Sequence, residues 1–115
     1  MIDIKMSQNN LIDKIRKLAR ECVDYKQVYR RLEDLLELKL ESIRDELSSK
    51  MPDYLQSEIL RLSFQHEDYI KILEKYLASK SSYIHSKVMY DTHLMLFEAR
   101  RSLTSYNREV LLNKK

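Results

Sequence analysis

The sequence has no glycine and no tryptophan, and it has one proline and one cysteine among 115 residues. Glycine and proline shape the tight turns and bulges of β-structure, so their scarcity argues against a β-rich fold. Without glycine, no glycine-rich phosphate loop can form. The lone Cys22 permits neither an intrachain disulfide nor a cysteine zinc cluster, and we expect it to be a small buried hydrophobic residue.

Long apolar runs are also missing. The longest covers residues 94–97 and has four residues, whereas a membrane-spanning helix needs about 20. The first residues have no signal-peptide layout. We therefore expect a cytoplasmic protein with no membrane partner.

A seven-residue apolar repeat dominates the second half of the chain. It consists of Leu55, Leu62, Tyr69, Tyr76, Tyr83, Tyr90 and Phe97. This spacing is typical of a helix that lies along another helix. The tyrosines either pack between helices with their hydroxyls at the wet edge or, together with nearby lysines, stack single-stranded bases.

The first half predicts one amphipathic helix over residues 8–49. Apolar residues step by three or four from Leu11 to Leu47, and Ser7 suits the N-cap. Residues 1–6 are expected to be flexible. Residues 48–53 are expected to form the turn, with Pro52 at the first position of the next helix.

The second arm is predicted to be a helix over residues 53–112. The heptad phase continues from Tyr76 to Tyr83 across the weak helix formers at 79–82. A break there would instead give a three-helix up-down-up bundle. Either way the prediction is one all-α domain over residues 1–115, and the favoured form is a long helical hairpin that pairs residues near 11 with residues near 91.

A longer second arm would leave apolar residues near the C-terminus without an intrachain partner. Exposed apolar surface of this kind marks an interface, so we predict a homo-oligomer resembling a coiled coil. The predicted oligomer interface comprises Tyr83, Tyr90, Leu94, Met95, Phe97, Leu103 and Tyr106.

Histidines offer little catalytic chemistry. His66 lacks a second histidine four residues later, and His85 and His93 have no acidic ligand at a matching spacing. We expect these histidines to be solvated or to set helix register. No enzyme activity, metal, cofactor or small-molecule substrate is predicted.

Charge is segregated along the chain. In a hairpin the acidic segments gather near the turn and the basic segments at the open end. A nucleic-acid backbone or the acidic turn of a neighbouring subunit would neutralise the basic end, and a solvated mosaic of helix charges is the third interpretation. The candidate phosphate-binding residues are Arg16, Lys17, Arg20, Lys80, Lys87, Arg100 and Arg101.

Residues 97–103 read Phe-Glu-Ala-Arg-Arg-Ser-Leu and follow the tyrosine repeat. Over residues 52–110 the chain thereby resembles a group of short all-helical proteins of phages and prophages. In size and helical build it is also similar to UvsY-type recombination mediators of T-even phages. This resemblance implies an oligomer that binds single-stranded DNA and helps to load a recombinase, without assigning any site residue.

Two functions are therefore expected. The first is a non-catalytic, self-associating accessory of DNA recombination or replication that binds nucleic acid. The second is a helical adaptor or chaperone whose apolar face at residues 94–97 holds a helix of a partner protein.

Overall fold

The computed structural model describes residues 3–113, which form three helices. They are α1 (Gln8–Lys50), α2 (Gln56–Phe64) and α3 (Glu67–Asn113). No strand occurs in the described part of the chain, so the predicted all-α class is confirmed. Within residues 3–113, none of the helices has a stretch long and apolar enough to cross a bilayer.

Ser7 caps α1 as predicted. Its hydroxyl oxygen accepts the Asn10 N–H at 3.2 Å, and its carbonyl accepts the Leu11 N–H at 2.9 Å. The side chain of Ser7 thus satisfies one backbone donor of the first turn, and its carbonyl accepts the first helical bond.

The turn after α1 lies slightly later than predicted, at residues 51–55. The Tyr54 N–H donates to the Met51 carbonyl at 3.1 Å, which places Pro52 at the second position of a four-residue turn. Proline suits that position because its fixed φ matches the turn. The prediction that Pro52 opens the next helix is therefore wrong, since α2 begins at Gln56.

A second break, which the sequence did not predict, separates α2 from α3 at residues 65 and 66. The N–H of Gln65 and that of His66 donate to carbonyls three residues earlier, at 3.1 and 3.2 Å, and α2 ends there. His66 then caps α3, because its Nδ1 accepts the Asp68 N–H at 3.1 Å and its carbonyl accepts the Ile70 N–H at 3.0 Å. The second arm is consequently two helices.

No break occurs at residues 79–82, which lie inside α3. The favoured prediction of a continuous helix at this point is confirmed. The fold has three helices because of the break at residues 65 and 66, whereas the alternative bundle assumed a break at residues 79–82.

The chain divides into two compact units. The terminal unit comprises Met1–Val23 and Ile84–Lys115, and the central unit comprises Asp24–Tyr83. The prediction of a single domain stays a prediction.

Within the central unit, α1 and α3 run antiparallel. Tyr29 packs against Tyr76 and Tyr83, while Lys39, further along α1, lies 3.7 Å from the Asp68 carboxylate, further back on α3. Apolar burial supplies the main favourable free energy for such pairing. The buried side chains of this unit are Leu36, Ile43, Ile59 and Ser63.

Within the terminal unit the helices are also antiparallel. Arg100 of α3 reaches Gln8 at the start of α1, while Lys87 and Asp91 act electrostatically on Cys22, one residue before the other end of this unit's α1 segment. Residue 8 therefore lies beside residue 100, and the predicted pairing of 11 with 91 is shifted. The turn and the extra break use residues that the predicted hairpin assigned to paired helices. Only residues 101–113 of α3 therefore extend past the start of α1.

Candidate nucleic-acid interface

Positive charge is concentrated in the terminal unit. Its sequence holds eleven Lys and Arg residues against six Asp and Glu residues, a formal charge of +5, whereas the central unit holds ten against twelve, a formal charge of −2. Six of the seven predicted phosphate-binding residues belong to the terminal unit, and Lys80 belongs to the central unit. An excess of one sign attracts ligands of the opposite sign.

Arg100 has a structural role. Its guanidinium donates to the carbonyl oxygens of Ile4 and Met6 and lies 3.5 Å from the Gln8 side-chain oxygen. These bonds tie the N-terminal segment, residues 3–7, to α3. The guanidinium N–H groups that make these bonds are not free to bind a phosphate, so we do not count Arg100 among the ligand-binding groups.

The segment joined by Arg100 is the one predicted to be flexible. A bond from the Met6 N–H to the Asp3 carbonyl, at 3.2 Å, forms a turn within it. Residues 1 and 2, which the same prediction covers, lie outside the described residues.

Arg101 is exposed and lines an open groove of about 800 Å³ in the terminal unit. Arg108, two turns later on the same side of α3, lines it as well. The remaining walls include the hydroxyl residues Ser7, Thr104 and Ser105. Within residues 3–113, no carboxylate lines this groove.

Arg16, Lys17 and Arg20 are exposed on α1. Arg16 and Arg20 are one turn apart and line a shallow depression together with Asp13. A carboxylate beside two guanidinium groups lowers the local positive potential, so this cluster is a weaker anion site than two guanidinium groups alone would be.

The two predicted lysines lie over tyrosine rings. The Nζ of Lys80 is 5.6 Å from the centre of the Tyr76 ring and 3.3 Å from its hydroxyl, and this hydrogen bond raises the pKa of Lys80. The Nζ of Lys87 is 5.4 Å from the centre of the Tyr90 ring and 3.1 Å from an Asp91 carboxylate oxygen. Lys87 is therefore partly neutralised by its own helix.

The tyrosine repeat supplies packing contacts in the central unit. The ring of Tyr29 stacks on Tyr83 with centres 5.1 Å apart, and meets Tyr76 edge-on at 6.3 Å. Rings in such contacts have less face available for a base. The geometry at these residues favours the packing interpretation of the repeat.

The predicted oligomer-interface residues divide into two groups. Met95, Leu103 and Tyr106 are exposed, with 71%, 59% and 63% of their surface accessible. The others are partly covered within their own units: Tyr83, Tyr90, Leu94 and Phe97. The exposed apolar surface also includes Leu111 and Leu112, which the prediction omitted.

The most buried face of α3 in the terminal unit is polar. Ser86 and His93 are buried, and Arg100 is half-buried seven residues later. The His93 Nδ1 lies 2.6 Å from the Met89 carbonyl. Sequence reasoning followed the apolar row and missed this row, although its seven-residue spacing was a readable signal.

Metal-binding groups do not converge in the described residues. Within residues 3–113, no three His, Cys, Asp or Glu side chains are placed to hold a metal ion. Cys22 is half-buried, and desolvation raises the pKa of its thiol. A raised pKa leaves less thiolate at neutral pH.

No protein-family model, no curated protein and no solved structure matches this chain.

Proposed function

We propose that this chain is a non-catalytic, self-associating helical protein of the cytoplasm that binds nucleic acid. Its resemblance to phage and prophage proteins and to UvsY-type mediators favours a role as an accessory of DNA recombination or replication. Single-stranded DNA is the expected ligand.

The exposed positive charge of the terminal unit carries this proposal. Within residues 3–113, six of its basic side chains make no ion pair at 4.0 Å or less and are exposed to solvent: Lys5, Arg16, Lys17, Arg20, Arg101 and Arg108. Such side chains can neutralise phosphates and release condensed counterions without first breaking a protein contact.

Self-association is supported by the apolar residues of α3 beyond Arg100. Leu103, Tyr106 and Leu111 each expose more than half of their surface. Grouped exposure of large apolar side chains is typical of an interaction surface. A second copy of the chain is the occupant that we propose.

Salt-dependent binding tests the nucleic-acid proposal. A labelled single-stranded oligonucleotide should bind with an affinity that falls as salt rises, with a log–log slope of about −3 for four to five phosphate contacts. Fluorescence anisotropy from 50 to 300 mM salt measures it. An absent or salt-independent signal would reject the proposal.

Charge reversal adds a matched control. Arg16→Glu with Arg20→Glu should weaken binding, whereas Arg30→Glu with Arg31→Glu makes the same charge change at exposed positions of the central unit and should weaken it less. Equal losses in both variants would indicate that overall charge, rather than the terminal unit, determines binding.

The alternative function is a helical adaptor or chaperone. The exposed apolar surface at Leu103 and Leu111 supports it, because a partner helix could cover the same residues. Recovery of a stoichiometric protein partner in preparations free of nucleic acid would favour this alternative.

A further inference from the structure

The groove lined by Arg101 and Arg108 combines features that a phosphate site needs. Both residues lie on one side of α3, seven positions apart, which corresponds to a rise of about 10.5 Å along the helix axis. Arginine side chains are long enough to converge on one anion from these positions, and their planar N–H forks match phosphate oxygens.

The other walls of the groove add hydroxyl donors. Ser7 and Ser105 lie along it, and Thr104 donates its hydroxyl to the Arg100 carbonyl at 2.9 Å. The first turn of α1, which begins at the groove, has no acidic residue to oppose an anion.

Arg100 fixes one wall of the groove. By tying the carbonyls of Ile4 and Met6 to α3, it holds Ser7 and Gln8 opposite Arg101. The two adjacent arginines therefore have different roles. Arg100 positions the wall that contains Ser7 and Gln8, and Arg101 faces this wall across the groove.

We infer that this groove binds a phosphate group through Arg101 and Arg108, with hydroxyl donors from Ser7 and Ser105. This inference rests on the proposed function, under which the phosphate belongs to a nucleic-acid strand. A small phosphorylated compound presents the same chemistry, and the experiment distinguishes the two sources.

The direct test uses inorganic phosphate and the backbone NMR signals of Thr104 and Ser105. In the unmodified protein these signals should shift with phosphate and saturate. In Arg101→Gln with Arg108→Gln the shifts should disappear, whereas Arg30→Gln with Arg31→Gln, which removes equal charge from the central unit, should keep them. Identical titrations of the first variant and the unmodified protein would overturn the inference.

A parallel titration uses a single-stranded oligonucleotide with and without a 5′-phosphate. The variant at Arg101 and Arg108 should bind roughly tenfold more weakly, with a salt slope reduced by about 0.7, since both arginines contact one phosphate and each lost phosphate contact removes about 0.7. If the unmodified protein prefers the 5′-phosphorylated oligonucleotide and the variant does not, the ligand is a strand end.

The two titrations separate failure of the groove from failure of the proposed function. If the oligonucleotide binds equally to the variant and the unmodified protein, the groove inference is wrong and nucleic-acid binding stands. If phosphate titrates the groove but no oligonucleotide binds, the proposed function is wrong and the ligand is a small phosphorylated compound. If neither ligand binds, both are wrong.

Discussion

Arg100 and Arg101 are adjacent in the sequence, yet their environments differ. Both residues line the groove, but the guanidinium of Arg100 is hydrogen-bonded to two backbone carbonyls, whereas Arg101 is exposed. One residue along a helix turns the side chain by about 100°. Composition and charge counting treat the two as equivalent, so sequence reasoning placed both among the phosphate-binding residues.

We predict that Arg100→Ala lowers the free energy of unfolding by about 1.5–3 kcal/mol. The change removes charge-assisted bonds to Ile4 and Met6 and leaves their carbonyls to find water. Urea unfolding measures the loss, and faster amide exchange at residues 8–10 should accompany it. Arg101→Ala is the control and should change stability by less than about 0.5 kcal/mol; equal effects would contradict the role given to Arg100.

Ser86 illustrates a small polar residue in a buried position. It has 4% of its surface exposed in α3, so a larger side chain has no space to occupy. We predict that Ser86→Leu costs about 1–3 kcal/mol through overpacking. Thermal unfolding measures this against Ser81→Leu, an exposed position on the same helix where the change should be close to neutral; a stabilised Ser86→Leu protein would refute the prediction.

The break before α3 shows how an element boundary can escape sequence reasoning. Leu62 and Tyr69 keep the seven-residue spacing across it, and neither glycine nor proline marks it. Phase continuity correctly indicated an unbroken helix at 79–82 but does not exclude a two-residue interruption elsewhere. The signal for the break was local, because a histidine side chain can serve as a helix cap.

We predict that His66→Ala destabilises the start of α3 by about 0.5–2 kcal/mol, since the Asp68 N–H loses its side-chain acceptor. His66→Asn is the matched control, because asparagine is among the best N-cap residues and should retain most of the stability. Urea unfolding of the two variants compares them. Equal losses in both would indicate that the ring packing of His66, rather than its capping bond, matters.

Helix starts were otherwise predictable where a side chain caps the backbone. Ser7 was identified from its type and place alone, and the structure confirms its bond to Asn10. Pro52 was harder, because proline suits both a first helical position and the second position of a turn. Only the hydrogen bond from Tyr54 to Met51 decides between them.

At the scale of the molecule, the all-α class and the antiparallel helix pairing in each unit followed from periodicity and composition. The helix register did not. Heptad spacing determines which face of a helix packs but not which residues lie opposite each other. The number of residues in the turn and in the break sets that pairing. The candidate groove was invisible for the same reason, since it requires residue 8 to lie beside residue 100.

We predict that the protein self-associates through the end of α3. Leu103→Glu with Leu111→Glu should shift the sedimentation coefficient toward that of a monomer, because charged side chains oppose burial of this surface. Leu38→Glu with Leu77→Glu changes comparably exposed leucines in the central unit and should leave the assembly intact. A monomeric unmodified protein at micromolar concentration would contradict the prediction.

The attachment of residues 3–7 uses main-chain oxygen atoms, which every amino acid possesses. Ile4 and Met6 could therefore be replaced by many other residues without loss of the bonds from Arg100. Trimming the first six residues would remove both acceptors at once. This stretch should tolerate sequence drift but not shortening, whereas a change in the single arginine that holds it would undo the attachment.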